Sequence, residues 1–228
     1  MDLDAFRTLL TPAGRGALDE AVKILADGAD PVAAASAMRR SHPADLTAAA
    51  LTQASLRRRA EAKFGPDAAV MYFTPHGLEQ ATRPEVAAHR AARIRAAGLQ
   101  ADGLPADGTP ADGTPAHGEP EGGPAVLDVC CGIGGDLLAL TRAGCPVDAV
   151  DLDPLTVEIA RANAAALGLS GLAHVRTGDA ALTDPGGYGL LFADPARRGR
   201  EDGPSTLWPT PPPGRSCSTW WPAPRRPA

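Results

Sequence analysis

Hydrophobic residues recur every three to four positions through the first hundred residues of the chain. The longest such stretch runs from Asp45 to Phe64 and is rich in Ala and Leu. This spacing is typical of helices that bury one face. Asp30 followed by Pro31 predicts an N-cap and first turn. The run Thr82-Arg83-Pro84-Glu85 predicts a capping box that opens another helix. We therefore expect an all-α domain over residues 1–97.

The helical pattern stops between residues 98 and 124. ADGLP, ADGTP, ADGTP and AHGEP follow one another with a five-residue period, and almost none of these positions can be buried. Prolines and acidic residues favour an extended chain in such a segment. We predict a disordered linker here.

Short apolar stretches alternate with helical ones over residues 125–202. AVLDV, VDAVDL, AHVRTGDA and YGLLFADP are predicted strands, and helical segments separate the first three of them. Such alternation predicts a parallel sheet with crossover helices. The predicted fold class is α/β, with a Rossmann-like sheet preceded by the all-α domain.

Residues 203–228 break with everything before them. They contain clustered prolines, three arginines and no acidic residue, so we expect a disordered tail and a sheet that is incomplete at its C-terminal side. GC-rich codons can be chosen so that the neighbouring frame encodes an amphipathic, helix-like run. This suggests a frameshift near Asp202 or Gly203.

The composition of the chain argues against several classes of protein. The formal net charge of -5 argues against a protein that coats nucleic acid by bulk charge, although a local basic patch stays open. The four cysteines form no CxxC pair and the five histidines are scattered, so no metal site is expected. No apolar run reaches the roughly 20 residues of a membrane span. The N-terminus is acidic where a signal peptide would be basic, and we expect a cytoplasmic protein.

The first predicted strand runs into DVCCGIGGD, residues 128–136. Glycines directly after a strand let the backbone pass close to a ligand and then enter a helix. An NAD fingerprint would need its third glycine at the position of Leu137. A site for S-adenosylmethionine (SAM) instead has an acid followed by alternate glycines, and here a cysteine replaces one glycine. The predicted SAM-binding residues of this motif are Asp128, Cys130, Gly132, Gly134 and Gly135.

Acidic residues also close the second and third predicted strands. Asp151 ends the second strand, where a carboxylate can accept hydrogen bonds from both ribose hydroxyls. Asp153, just before Pro154, is predicted to N-cap the following helix. Asp179, with Ala180 beside it, ends the third strand, where a carboxylate can reach an adenine amino group. The alternative for Asp179 is a surface turn.

The fourth predicted strand ends in FADPARRG, residues 192–199. Asp194 and Pro195 are the predicted catalytic residues, because acceptors beside the methyl group can orient an amino lone pair towards it. Arg197 and Arg198 are predicted to hold a substrate phosphate or carboxylate. The alternative is a solvated turn with two surface arginines.

These motifs resemble those of class I SAM-dependent methyltransferases, most closely the bacterial group with a THUMP-like domain. They are more distantly similar to RNA cap guanine-N2 methyltransferases. ALTQASLRRRAEAKFG and MYFTPHGLEQATR also resemble the helical segment of the bacterial group. The resemblance implies a doubly wound sheet, SAM as cofactor, and an RNA or other nucleic-acid substrate methylated at an amino nitrogen of a base. One departure is that no aromatic residue follows Pro195 to stack on a base.

Two other functions remain open from the sequence. A non-catalytic SAM-binding protein or an inactive methyltransferase fragment is favoured by the short sheet. An NAD(P)-dependent oxidoreductase would share the glycine-rich turn and Asp151.

A basic cluster lies near the end of the longest predicted helix and could contact RNA phosphates: Arg57, Arg58, Arg59 and Lys63. A solvated helix end is the preferred interpretation of these residues. The oligomeric state is also open.

Overall fold

Helices come first along the chain and a four-stranded sheet follows, in a computed structural model that describes residues 1–98 and 126–195. The helices before the sheet are α1 (Leu3–Leu9), α2 (Pro12–Ala26), α3 (Pro31–Met38), α4 (Ala44–Phe64), α5 (Pro75–Gln80) and α6 (Pro84–Ala96). The α/β part contains β1 (Val126–Val129), α7 (Gly135–Arg142), β2 (Val147–Asp151), α8 (Pro154–Ala166), β3 (Ala173–Thr177) and β4 (Leu190–Ala193). Short 3-10 helices span Gly65–Ala69 and Ala180–Leu182. The predicted fold class is thus confirmed.

Three predicted features lie outside the described residues. They are residues 99–124 of the predicted linker, the pair Arg197 and Arg198, and the predicted tail at 203–228.

The helix starts test the capping predictions. Asp30 accepts hydrogen bonds from the amides of Val32 and Ala33 at the start of α3, and Asp153 caps α8 in the same way, as predicted. The capping box at Thr82 is wrong. Helix α6 begins one residue later than that box requires, with Pro84 in its first turn and Arg83 as an N-cap whose side chain makes no capping hydrogen bond. Proline prefers the first helical position, which fixes this start.

The four strands are parallel and follow the order β3-β2-β1-β4. After β1 the chain adds β2 and β3 on one side, and then returns to place β4 on the other side of β1. The carboxyl ends of β1 and β4 therefore flank the point at which the strand order reverses. Open α/β sheets bind ligands in the crevice outside that point.

Helices α6, α7 and α8 cover one face of the sheet. Strand residues such as Val126 and Val147 share a core there with residues of all three helices: Ala91, Leu137, Leu140, Val157 and Ala160. A smaller cluster of Leu127, Val129 and Val150 forms on the other face, with Ala180 and Tyr188 packed against it.

The helical region and the α/β part share one core. Phe6, Leu18 and Phe73 belong to the same apolar cluster as Ile133 and Ile159. The described residues accordingly form one compact unit. None of the helices in the described ranges is long and apolar enough to cross a membrane.

An extended segment at residues 71–74 passes between α4 and α8. Gln53 of α4 donates to the carbonyl of Phe73 at 2.6 Å and accepts from its amide at 3.0 Å. Asn163 of α8 accepts from the amide of Tyr72 at 2.7 Å and donates to its carbonyl at 3.1 Å. Asn163 also donates to the carbonyl of Ile133 at 3.0 Å. The buried side-chain amides of Gln53 and Asn163 thus pair with the backbone N–H and C=O groups of this segment, as a neighbouring strand would.

Two of the basic residues considered as RNA contacts are bound within the fold. Arg57 donates to the carbonyls of Met71 and Val70 at 2.8 and 3.1 Å. Lys63 donates to the carbonyl of Leu78 at 2.8 Å. These side chains hold the segment after α4 in place.

Candidate functional site

The glycine-rich turn lies at the carboxyl end of β1, beside the reversal of strand order. Its backbone takes left-handed conformations at Cys130, Gly132 and Gly134, with φ of 68°, 58° and 96°. A Cβ added at Gly132 would meet no heavy atom within 4 Å. The turn therefore presents bare backbone to open space, which is what close approach of a ligand requires.

Asp128 is buried beneath this turn. The residue is 1% exposed, and its Oδ2 has no hydrogen-bond partner among the described residues. Burial raises the pKa of Asp128 well above its ordinary value, and the nearby carboxyl groups of Asp136 and Asp151 raise it further. A buried acceptor without a donor is costly. An ammonium group such as that of the amino-acid end of SAM would supply the missing donor, so Asp128 fits the predicted cofactor.

Asp151, at the end of β2, shapes the same turn. Its Oδ2 accepts from the amide of Gly132 at 2.9 Å, and its Oδ1 accepts from the amide of Asp153 at 3.1 Å. Each carboxylate oxygen can accept a second hydrogen bond. Asp151 thus keeps the acceptor capacity that two ribose hydroxyls would need.

Asp179 follows β3, on the far side of β2 from the turn. Its Oδ1 accepts from the amide of Ala181 at 2.8 Å and so caps the short 3-10 helix that begins at Ala180. The amide of Gly178 donates to the carbonyl of Asp151 at 2.9 Å. Asp179 therefore acts as a turn residue here, while its position next to the end of β2 is the one expected of an adenine contact.

Asp194 follows the last residue of β4, and its side chain is 50% exposed. Its Oδ2 accepts a hydrogen bond from Arg90 of α6 at 2.9 Å. The same Nη1 of Arg90 lies 3.1 Å from both carboxylate oxygens of Asp136 in the first turn of α7. Thr82 donates to Asp136 at 2.5 Å, which explains why it does not cap α6. The structure thus brings Asp128, Asp151 and Asp194 to one edge of the sheet, with Pro195 directly after Asp194.

Sequence reasoning missed Arg90 and the role of Asp136. Asp136 closes the glycine motif, so its place in the sequence could have identified it. Arg90 gives no such signal, because it lies 104 residues before Asp194 in a helix that was assigned to a separate domain.

Leu137 occupies the place of the third glycine of an NAD fingerprint. It is fully buried and packs between α7 and the sheet. In NAD-binding proteins that glycine allows close helix–strand packing, and a leucine takes its place here. Within residues 1–98 and 126–195, no three His, Cys, Asp or Glu side chains are placed to hold a metal ion.

Two family models match the chain. Residues 126–188 match a family described as "Methyltransferase domain". Residues 2–60 match a family described as a domain of unknown function, DUF8688. The first match confirms the prediction of a methyltransferase domain in this part of the chain.

Two relatives and one solved structure are also similar to this chain. Two uncharacterized S-adenosylmethionine-dependent methyltransferases of Mycobacterium tuberculosis, from strains CDC 1551 and H37Rv, are each 32% identical over 154 residues, or 63% of this chain. The chain spans about a third of the length of these relatives, 33%. A crystal structure of a proposed methyltransferase from Porphyromonas gingivalis W83 superimposes with a TM-score of 0.50 at 20% identity, covering 72% of this chain and 36% of the other. That similarity concerns the fold alone.

Proposed function

We propose that this chain is a SAM-dependent methyltransferase that modifies an amino nitrogen of a nucleic-acid base, with RNA as the first candidate substrate. The observation that carries the proposal is the buried, unsatisfied Oδ2 of Asp128 beneath a glycine-rich turn at the reversal of strand order. The methyltransferase-domain match and the two M. tuberculosis relatives support the cofactor. The resemblance to the THUMP-like group supports the substrate class.

Each motif contributes one part of the cofactor site. The open backbone at Gly132 admits the ligand, Asp128 accepts from its ammonium group, and Asp151 accepts from the ribose hydroxyls. Asp179 and Ala180 line the adenine side. SAM supplies an electrophilic methyl group when it is bound.

Asp194 is the residue proposed to orient the nucleophile. Its carboxylate is half exposed at the mouth of the crevice, where it can accept a hydrogen bond from an incoming amino group. Pro195 restricts the backbone after it. Holding the nitrogen in line with the methyl group is the main catalytic contribution expected of the protein. Arg197 and Arg198 would bind a phosphate of the substrate.

Calorimetric titration with SAM and S-adenosylhomocysteine, with NADH as the control, tests the cofactor. We expect binding of the first two ligands and none of NADH.

Transfer of tritium-labelled methyl groups to separate RNA, DNA and protein pools then tests the substrate class. Asp194→Asn should keep SAM binding and lose transfer. NADH binding without SAM binding would instead favour an oxidoreductase, and SAM binding without transfer to any pool would favour a non-catalytic protein.

A further inference from the structure

Arg90 reaches the candidate site from the helical region. Its Nη1 donates to Asp194 Oδ2 at 2.9 Å and to the Asp136 carboxylate at 3.1 Å. Its guanidinium carbon lies 5.6 Å from the centre of the Phe192 ring. Partial burial acts to lower the pKa of Arg90, but the hydrogen bonds with Asp194 and Asp136 outweigh burial and raise the pKa. Arg90 is therefore a permanent positive charge between two carboxylates.

Asp136 anchors this arginine from helix α7. Its side chain is 9% exposed and also accepts the hydroxyl of Thr82. Asp136 is thus a rigid anchor. Asp194, in contrast, lies just after the end of β4, and its side chain is half exposed. Across residues 1–98 and 126–195, Arg90 is the only group that hydrogen-bonds to the Asp194 carboxylate. Without it, that carboxylate could rotate about its side-chain bonds.

We propose that Arg90 is a positioning residue for methyl transfer: by holding Oδ2 of Asp194 it fixes the carboxylate plane and leaves Oδ1 for the amino group of the substrate. The inference rests on the proposed function, in which Asp194 orients that amino group. The contacts with Phe192 and Asp194 together also fix the end of β4. The helical region thereby contributes a residue to a site otherwise built from the sheet.

Three variants separate this role from a general structural one. Arg90→Gln keeps much of the side-chain length and removes the charge. Arg90→Lys keeps the charge. Because Nη1 of Arg90 alone makes the hydrogen bonds to both carboxylates, the ammonium group of a lysine can form some of the same bonds. Arg93→Gln is the matched control, since Arg93 is exposed on the same helix and makes no side-chain hydrogen bond or ion pair with the other described residues.

Three measurements on the full chain follow. SAM affinity by calorimetry should stay within about threefold of wild type in all variants. Methyl transfer to total RNA at saturating SAM should fall about 100-fold in Arg90→Gln, the loss that a displacement of about 1 Å can cause, and less in Arg90→Lys. Amide hydrogen exchange at residues 190–194 should become faster in Arg90→Gln and stay unchanged in Arg93→Gln.

Wild-type rates of transfer or unchanged exchange at residues 190–194 in Arg90→Gln would overturn the inference. So would a loss of transfer that saturating SAM restores, because that would place Arg90 in cofactor binding. Failure of the wild-type chain to bind SAM would contradict the proposed function instead. If the wild type binds SAM but does not methylate RNA, the substrate class is wrong, and the exchange comparison decides whether Arg90 holds the end of β4.

Discussion

At the residue scale, the protonation of Asp128 couples the site to pH. Its pKa in the folded protein lies well above the ordinary value, because the side chain is buried and other carboxyl groups are close. The folded protein therefore keeps a proton that the unfolded chain loses above about pH 4. The stability of the wild-type protein falls as the pH rises from there towards the folded-state pKa. A bound ammonium group would favour the ionised form, so SAM binding should lower the pKa of Asp128 and release a proton wherever the free protein still holds one.

Asp128→Asn removes this titration while keeping the shape of the side chain. At pH 7 we expect the free variant to be more stable than wild type, because an amide is neutral at every pH, whereas the buried carboxyl must either stay ionised without a partner or take up a proton. The difference should shrink as the pH falls towards about 4, where Asp128 is protonated in both states. Urea denaturation across this pH range measures it, and an equal difference at every pH would contradict the assignment. SAM affinity should fall in the same variant.

Cys130 has a backbone conformation that suits glycine, with φ of 68°. Residues with a Cβ are strained there by about 1–2 kcal/mol. Cys130→Gly should therefore be more stable than Cys130→Ala by about 1 kcal/mol, since both variants lose the thiol and only one keeps the Cβ. Equilibrium denaturation compares the two. Equal stabilities would show that the turn tolerates a side chain without strain.

At the element scale, the helical region supports the glycine-rich turn by direct contact. A Cβ at Gly77 of α5 would lie 2.4 Å from Cγ2 of Ile133, and one at Gly135 would lie 3.3 Å from the amide nitrogen of Thr82. Asn163 connects the carbonyl of Ile133 to the backbone of Tyr72. The turn is therefore held between α8 and the segment that leads into α5 and α6.

Asn163→Leu tests this connection. The apolar side chain leaves the amide and carbonyl of Tyr72 and the carbonyl of Ile133 without partners, which should lower the free energy of unfolding by about 2–4 kcal/mol. SAM affinity should also fall, because the turn loses its support. Glu158→Gln on the same helix is the control, since its ion pairs are with the exposed side chains of Arg7 and Arg161 and should contribute less than about 1 kcal/mol. Similar effects of the two changes would argue against a special role for Asn163.

Local signals explain which elements could be predicted from the sequence. The strands and the caps at Asp30 and Asp153 depend on neighbours only a few residues away, and these predictions agree with the structure. The placement of Asp151 and Asp194 at the carboxyl ends of strands was predictable, because parallel topology brings those ends together. The partners of Thr82 and Arg90 lie 54 and 104 residues along the chain. Periodicity carries no information over such separations, so the failed cap and the missed arginine share one cause.

At the scale of the whole molecule, the shared core predicts one cooperative unfolding transition. The apolar cluster of the helical region contains Ile133, Leu138 and Ile159 of the α/β part, so neither part keeps a complete core without the other. Saturating SAM should shift the melting of the helical and α/β parts together. Hydrogen exchange during thermal unfolding, followed separately for α4 and for β1, checks this. A shift confined to β1 would show that the two parts unfold independently.

The link between Tyr72 and Asn163 has a consequence for biosynthesis. The two residues are 91 positions apart, and ribosomes add about 5–20 residues each second. Tyr72 therefore leaves the peptidyl transferase centre some 5–18 seconds before its buried partner has been made. During that interval the helices can pack locally, but the backbone of Tyr72 has only water for a partner and its apolar neighbours lack their cover. A growing chain of this length therefore exposes apolar surface that the finished protein buries, which is the property that makes folding intermediates prone to aggregation.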